Sequence, residues 1–227
     1  MPLEPSELRS AIEHAVQRYG YRSMGQAWLK PTTVLTIDQL VPRLLPRDEA
    51  RTPFLCVNGM DSRRSGAAWA WRRELYDNEN GLHLKNIKLY RHECLVDMNL
   101  MVGEDDPYQT ILTAEAEGYA ANGRTLDQVA QATNNDFLWD FYKLLCVPSP
   151  VRVFFTLCSS KYQPALQRRL DQLVRRYSSL PELLPPGTDL WSVSFPTGSM
   201  ETIDIQVLHW APDRHGNAAV DHSFRAL

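Results

Sequence analysis

The sequence predicts an α/β protein with a mixed central β-sheet flanked by helices. Two observations carry that expectation. The hydrophobic period switches between the helical 3.6 and the strand value of 2 along the chain. The marked segments then follow one another as helices, three strands, helix, strand, helix and two strands, an order that asks for a sheet covered by helices.

The elements justify themselves in turn. Pro5-Ser6-Glu7 caps a first helix in which Leu8, Ile12, Ala15 and Val16 recur at helical spacing, and Gly20 closes it. Thr36 caps a second, short helix over Ile37 to Leu45, with Pro42 limiting or kinking it. Pro46 and Pro53 mark a connection. Residues 66 to 78 read as a helix, and Asn80-Gly81 as a turn. Leu84, Ile87 and Leu89 lie in a strand, followed by a second over Leu95 to Val102. In that second strand Leu95, Asp97, Asn99 and Met101 face one way, and Val96, Met98, Leu100 and Val102 the other. An acidic turn, Glu104-Asp105-Asp106, precedes a third strand from Thr110 to Glu117, which Gly118 ends. Residues 119 to 135 are polar and read as a loop or a loose helix. An amphipathic helix from Asn135 to Leu145, stopped by Pro148 and Pro150, leads into Val151 to Leu157. This last run is the clearest strand in the chain, rich in β-branched and aromatic residues. A helix from Pro164 to Tyr177 and strands at 190–195 and 203–210 complete the sheet, and the polar tail from Ala211 is expected to fray. The domain expectation is a helical segment at 1–60, an α/β core at 61–215 and a flexible tail at 216–227, all within one domain.

Composition narrows the functional classes. The chain has 227 residues, 44% hydrophobic and 22% charged, with a formal net charge of -3. It is long enough to bury a sizeable core. It lacks the strongly basic balance that advertises nucleic acid by bulk charge, so any such contact has to come from a local patch. Cys56, Cys94, Cys146 and Cys158 sit in apolar settings without CxxC spacing, which fits buried reduced thiols rather than disulfides or zinc. The N-terminus does not read as a signal peptide and no apolar run spans a bilayer, so the expected compartment is cytoplasmic, with no membrane partner.

The chemistry-bearing stretch runs from Glu93 to Leu157. Asp97 interrupts an apolar strand, while Glu115 and Glu117 stand two apart on the next strand and so share a face. Carboxylates placed beside a core are costly unless a cation or donors meet them. A divalent ion would relieve the repulsion of three converging carboxylates, and magnesium uses one or two of them while keeping water and phosphate oxygens. Lys143, on the helix between Phe141 and Leu145, could bring a positive charge to the cluster. Such a set suits metal-assisted attack of water on a phosphodiester. The alternatives are an Asp97 facing water on an edge strand, a solvated face carrying Glu115 and Glu117, and a Lys143 paired with Asp140 or Glu74.

The segments Leu95-Val96-Asp97-Met98-Asn99-Leu100, Ile111-Leu112-Thr113-Ala114-Glu115-Ala116-Glu117, Phe141-Tyr142-Lys143-Leu144-Leu145 and Val151-Arg152-Val153-Phe154-Phe155 together resemble the core of the PD-(D/E)XK nuclease superfamily. The resemblance covers roughly residues 66 to 158 and rests on short, degenerate motifs. It implies a restriction-endonuclease-like core in which Asp97 and Glu115 hold a magnesium or manganese ion. The motif lysine is replaced by Glu117, and Lys143 fits the members in which the lysine has moved to the following helix. Glu74 resembles an additional metal-binding acid on the first core helix. The implied activity is divalent-cation-dependent hydrolysis of DNA or RNA, with DNA favoured, and the implied catalytic set is Asp97, Glu115, Glu117 and Lys143. The competing expectation is a non-catalytic immunity or adaptor subunit on the same fold, which the net negative charge and Glu117 favour, with a protein partner or a homodimer.

Arg72-Arg73, beside Arg63-Arg64, and Arg168-Arg169, seven residues before Arg175-Arg176, are candidate phosphate contacts, against the alternative of solvated helix faces. Trp69, Trp71, Trp139 and Tyr142 sit at helical spacing and are expected in the core rather than as base-stacking platforms. GxSxG, GxxxxGK[ST], GxGxxG and HExxH are all missing, and the His92-Glu93 pair is a candidate to reach the site, against the commoner structural role of a lone His.

Overall fold

The computed structural model describes residues 3–19, 26–45, 53–58, 83–84, 86–90, 96–103, 108–119, 136–177, 180, 182, 184–185, 187–196, 203–210 and 223–226. The expected helix at 66–78, the loop at 119–135 (beyond Tyr119), the acidic turn, Cys94 and His92-Glu93 lie outside the described residues.

Helix α1 (Pro5–Tyr19) begins as its sequence predicts. Pro5 occupies the first helical position, where its missing N–H costs nothing, and the Glu7 carboxylate reaches back to accept from the Glu4 N–H at 3.0 Å. Helix α2 is longer than expected, running Gln26–Leu44 with Pro31 and Pro42 inside it. From Pro31 to Asp38 every side chain is buried. Thr33 and Thr36 donate to the carbonyls four residues back, Leu29 and Thr32, at 2.9 and 2.8 Å, so their hydroxyls are satisfied inside the core.

The strands are β1 (Pro53–Asn58), β2 (Asn86–Tyr90), β3 (Met98–Val102), β4 (Gln109–Tyr119), β5 (Val151–Cys158), β6 (Asp189–Phe195), β7 (Ile203–Trp210) and β8 (Ser223–Ala226). Helix α3 (Asp136–Cys146) links β4 to β5, and α4 (Gln163–Tyr177) lies between β5 and β6. They form one mixed sheet in the order β2-β1-β3-β4-β5-β6-β7-β8. The pairs β1–β2, β4–β5 and β5–β6 are parallel and the others antiparallel.

Three layers result. Side chains from α1 and α2 meet Leu112, Ala114, Ala116, Val153, Phe155 and Val193 on one sheet face. On the other, α3 and α4 bring Phe141, Leu144, Leu166 and Leu170 against Phe154, Leu190 and Trp210. Strand β5 is buried along its whole length because both faces are covered, which is why apolar residues dominate it and its Arg152 and Thr156 are buried too. The α/β class with a mixed sheet and flanking helices is therefore the observed one.

Two stretches depart from expectation. The segment 1–60 is not wholly helical, because its Pro53–Asn58 strand enters the sheet between β2 and β3. The tail expected to fray at 216–227 contributes β8, which pairs antiparallel with β7 through Ile203↔Ala226 to Gln206↔Ser223. Pairing with β8 covers the Ile203–Gln206 half of the edge of β7.

Candidate functional site

The carboxylates singled out in the sequence come together where β4 runs on past the start of β3. The β3–β4 ladder begins at Met98↔Ala114, so the end of β4 extends beyond its neighbour. Asp97, one residue before β3, uses the exposed ladder: its Oδ2 accepts from the Ala116 N–H at 3.1 Å. Its Oδ1 takes Lys30 Nζ from α2 at 3.0 Å. Asp97 is thus neither a ladder residue nor a free surface acid.

Glu115 lies on the opposite face of β4 from Ala114 and Ala116, beneath α3. Its side chain is only 2% exposed, so the expectation of a solvated face fails for it. Lys143 Nζ stands 3.2 Å from Glu115 Oε1 and 2.6 Å from Asp140 Oδ1, one turn back on its own helix. The contact with Glu115 is close enough for a hydrogen bond but not aligned for one, so Oε1 is buried as an ion-pair neighbour without a well-directed donor. Glu117, two residues on, is half-buried and feels Asp140, Asp97, Lys30 and Lys143.

The electrostatics follow from crowding and burial. Burial first, then the charge of Asp97, pushes the Glu115 carboxyl up to about 9, with Lys143 pulling the other way. Burial, then Asp140 and Asp97, raises Glu117 to about 7, opposed by Lys30 and Lys143. For Lys143 burial works against the charge, but the hydrogen bond to Asp140 and the neighbouring Glu115 outweigh it and the net shift is upward. The two shifts on the Glu115–Lys143 pair do not both hold at full strength, since a protonated Glu115 supports the ammonium less. The direction that stands is a Glu115 held neutral in a buried pocket crowded with carboxylates.

The site therefore gathers Asp97, Glu115, Glu117 and Asp140 around Lys30 and Lys143. Lys30 was not among the residues expected from the sequence. It lies 67 positions from Asp97, and its only local signal is that it is the sole charged residue between Gln26 and Ile37. Asp140 entered the sequence reading only as a partner for Lys143, and it belongs to the site itself.

The donor set is hard oxygen, which suits magnesium or manganese. Four carboxyl groups, the neutral Glu115 among them, face two ammonium groups, and the buried Glu115 Oε1 has Lys143 beside it but no aligned donor. Among the described residues no group of three or more Asp, Glu, His or Cys forms a ready-made metal cage. An ion here would take one or two carboxylates and complete its shell from water and substrate.

Glu74, Arg72 and Arg73 lie outside the described residues. Arg168 and Arg169 sit on α4, where Arg168 is exposed and Arg169 Nη1 donates to Gln172 Oε1 at 3.3 Å. Trp139, expected in the core, is 60% exposed. Cys56, Cys146 and Cys158 are free thiols, and burial pushes Cys158 up to about 12, so it is inert. No described helix is long and apolar enough to cross a membrane.

No family model, no curated protein and no solved structure matches this chain.

Proposed function

We propose that the protein is a magnesium- or manganese-dependent phosphodiesterase acting on nucleic acid, with DNA favoured over RNA, and that the β4–α3 cluster is its active site. The observation that carries this reading is a largely buried cluster of four carboxyl groups against two ammonium groups, with the Glu115 oxygen lacking an aligned donor. Asp97 and Glu115 would hold the ion. A bound divalent ion supplies charge stabilisation at a phosphate oxygen and a lower pKa for an attacking water. Glu117, with its carboxyl near 7, is suited to accept a proton from that water at neutral pH. Lys143, beside Glu115 and Asp140, would orient the nucleophile or meet charge developing on the phosphate. The resemblance to PD-(D/E)XK nucleases supports the same assignment of roles, and Glu115 and Glu117 lie in the C-terminal half of the parallel β4–β5 pair, towards the end where α/β sheets tend to bind ligands.

The test is cleavage of labelled single- and double-stranded DNA and RNA with manganese present. Wild-type protein should cut at least one of them, and Asp97→Asn and Glu115→Gln should abolish cutting while the fold persists. Full activity in Asp97→Asn, or an inert wild type on every substrate, would overturn the proposal.

One observation favours the second reading, a non-catalytic interaction protein. Lys30 already pairs with Asp97, and Lys143 with Asp140 and Glu115. In that reading these lysines are permanent counter-ions, and calorimetric titration with manganese would give no binding.

A further inference from the structure

Helix α3 carries a second feature on the stripe beside Asp140 and Lys143. Trp139 stacks on Tyr142 with ring centroids 5.5 Å apart and planes 27° from parallel. Tyr142 in turn meets Tyr177 at the end of α4, again at 5.5 Å. The Arg176 guanidinium lies over the Tyr177 ring, 5.9 Å from its centroid. Three aromatic rings and a guanidinium thus form a continuous row across two helices.

The row ends in the open. A tryptophan with 60% of its surface in water is anomalous in a chain whose Trp191 and Trp210 are fully buried. The helix beyond it is basic: α4 bears Arg168, Arg169, Arg175 and Arg176 against one acid, Asp171. Arg169 and Arg176 are seven apart and share a stripe. A flat apolar ring beside guanidinium groups is complementary to an unpaired base beside its phosphate. A duplex keeps its bases stacked on one another and offers no free face. Trp139 is also adjacent to Asp140 and four residues from Lys143, so it lies within a helical turn of the acidic cluster.

From this we propose that the outward face of Trp139, backed by Tyr142 and Tyr177, is a stacking platform for single-stranded nucleic acid, with arginines of α4 taking the phosphates. The strand-binding claim goes beyond the phosphodiesterase reading. It rests on that reading only in the further point that the platform delivers the strand to Asp97, Glu115 and Glu117.

Binding is measured by fluorescence anisotropy with a fluorescein-labelled oligothymidylate and with a labelled duplex of the same length, with chelator present so that no cleavage occurs. The single strand should bind more tightly than the duplex. Trp139→Ala should weaken single-strand binding roughly tenfold, the range for loss of one stacked base, while Trp139→Phe retains most of it. Arg176→Gln should lower the salt dependence by about one phosphate contact. Because binding is read with chelator and cleavage separately with manganese, strand binding by a protein that cuts nothing would overturn the phosphodiesterase reading and leave the platform standing. Equal binding by wild type and Trp139→Ala, equal or tighter binding of duplex, or no strand binding at all would overturn the platform. So would sedimentation showing that Trp139→Ala converts a dimer to a monomer, because the row would then be a contact between copies of this chain.

Discussion

Replacing Glu115 by glutamine isolates the energetic consequence of the buried acid. Glu115 titrates near 9 in the folded protein against 4.5 for the ordinary side chain. A raised carboxyl means that the folded state holds a proton which the unfolded chain has released. Its cost is therefore absent below pH 4.5, accumulates as the pH rises, and is fully expressed only above the folded value. Each pH unit inside that window removes about 1.4 kcal/mol. Between pH 5 and pH 8 the contribution of this one group has a ceiling of about 4 kcal/mol, which Lys143 and relaxation of the pocket reduce. Glutamine keeps the shape of the neutral acid and cannot ionise. Urea unfolding across this pH range, without divalent ions, should show wild-type stability falling with pH and the Glu115→Gln curve distinctly flatter. The two proteins should be close at pH 5 and the variant the more stable at pH 8. Parallel curves, or a wild type that gains stability relative to the variant as pH rises, would refute the claim that this carboxyl is buried and neutral.

Other outcomes follow from named contacts. Lys30→Met removes a cation competing for Asp97, so manganese should bind more tightly to this variant than to wild type by calorimetry. Manganese affinity should also rise between pH 6 and pH 9 as Glu115 and Glu117 lose their protons, since only the ionised forms ligate. Arg152 is buried and donates to the carbonyls of Leu145, Leu144 and Ser149, closing the end of α3. Arg152→Met should cost about 2–4 kcal/mol in urea unfolding, because those acceptors would be left in a dry core. Gly187 holds φ +85 in open space just before β6, so Gly187→Ala should cost about 1 kcal/mol from backbone conformation alone.

The run from α3 to β7 was legible in the sequence because each element has a strong period and a clear stop. Pro148 and Pro150 separate Asp136–Cys146 from Val151–Cys158, and the latter's apolar run declares a strand covered on both faces. Helix α2 was legible only at its end. Its buried threonines and internal Pro31 lower local helix propensity, and its stability comes from tertiary burial and from hydroxyls bonded back to the helix. Strand β1 is six residues between turn-like neighbours, and β8 is four residues that acquire meaning only by pairing with β7. At the site, Glu115 and Glu117 could be paired because strand alternation puts residues two apart on one face, whereas Asp97 lies just before β3 and is placed by its bond to the Ala116 N–H. Lys30 could not be grouped with them, because its contact with Asp97 joins a helix to a distant strand and no local period encodes it. Trp139 was misplaced for a related reason: helical spacing shows that it lies near Tyr142, but not that the stripe they share turns outward.

The central claim is that buried carboxylates at the end of β4 await a divalent cation. Calorimetric titration of the metal-free protein with manganese at pH 8 tests it most directly, with Asp97→Asn as the control. One saturable site that is lost in the variant is the predicted result. No binding by wild type, or binding unchanged by Asp97→Asn, would contradict it and leave Lys30 and Lys143 as the cluster's permanent counter-ions.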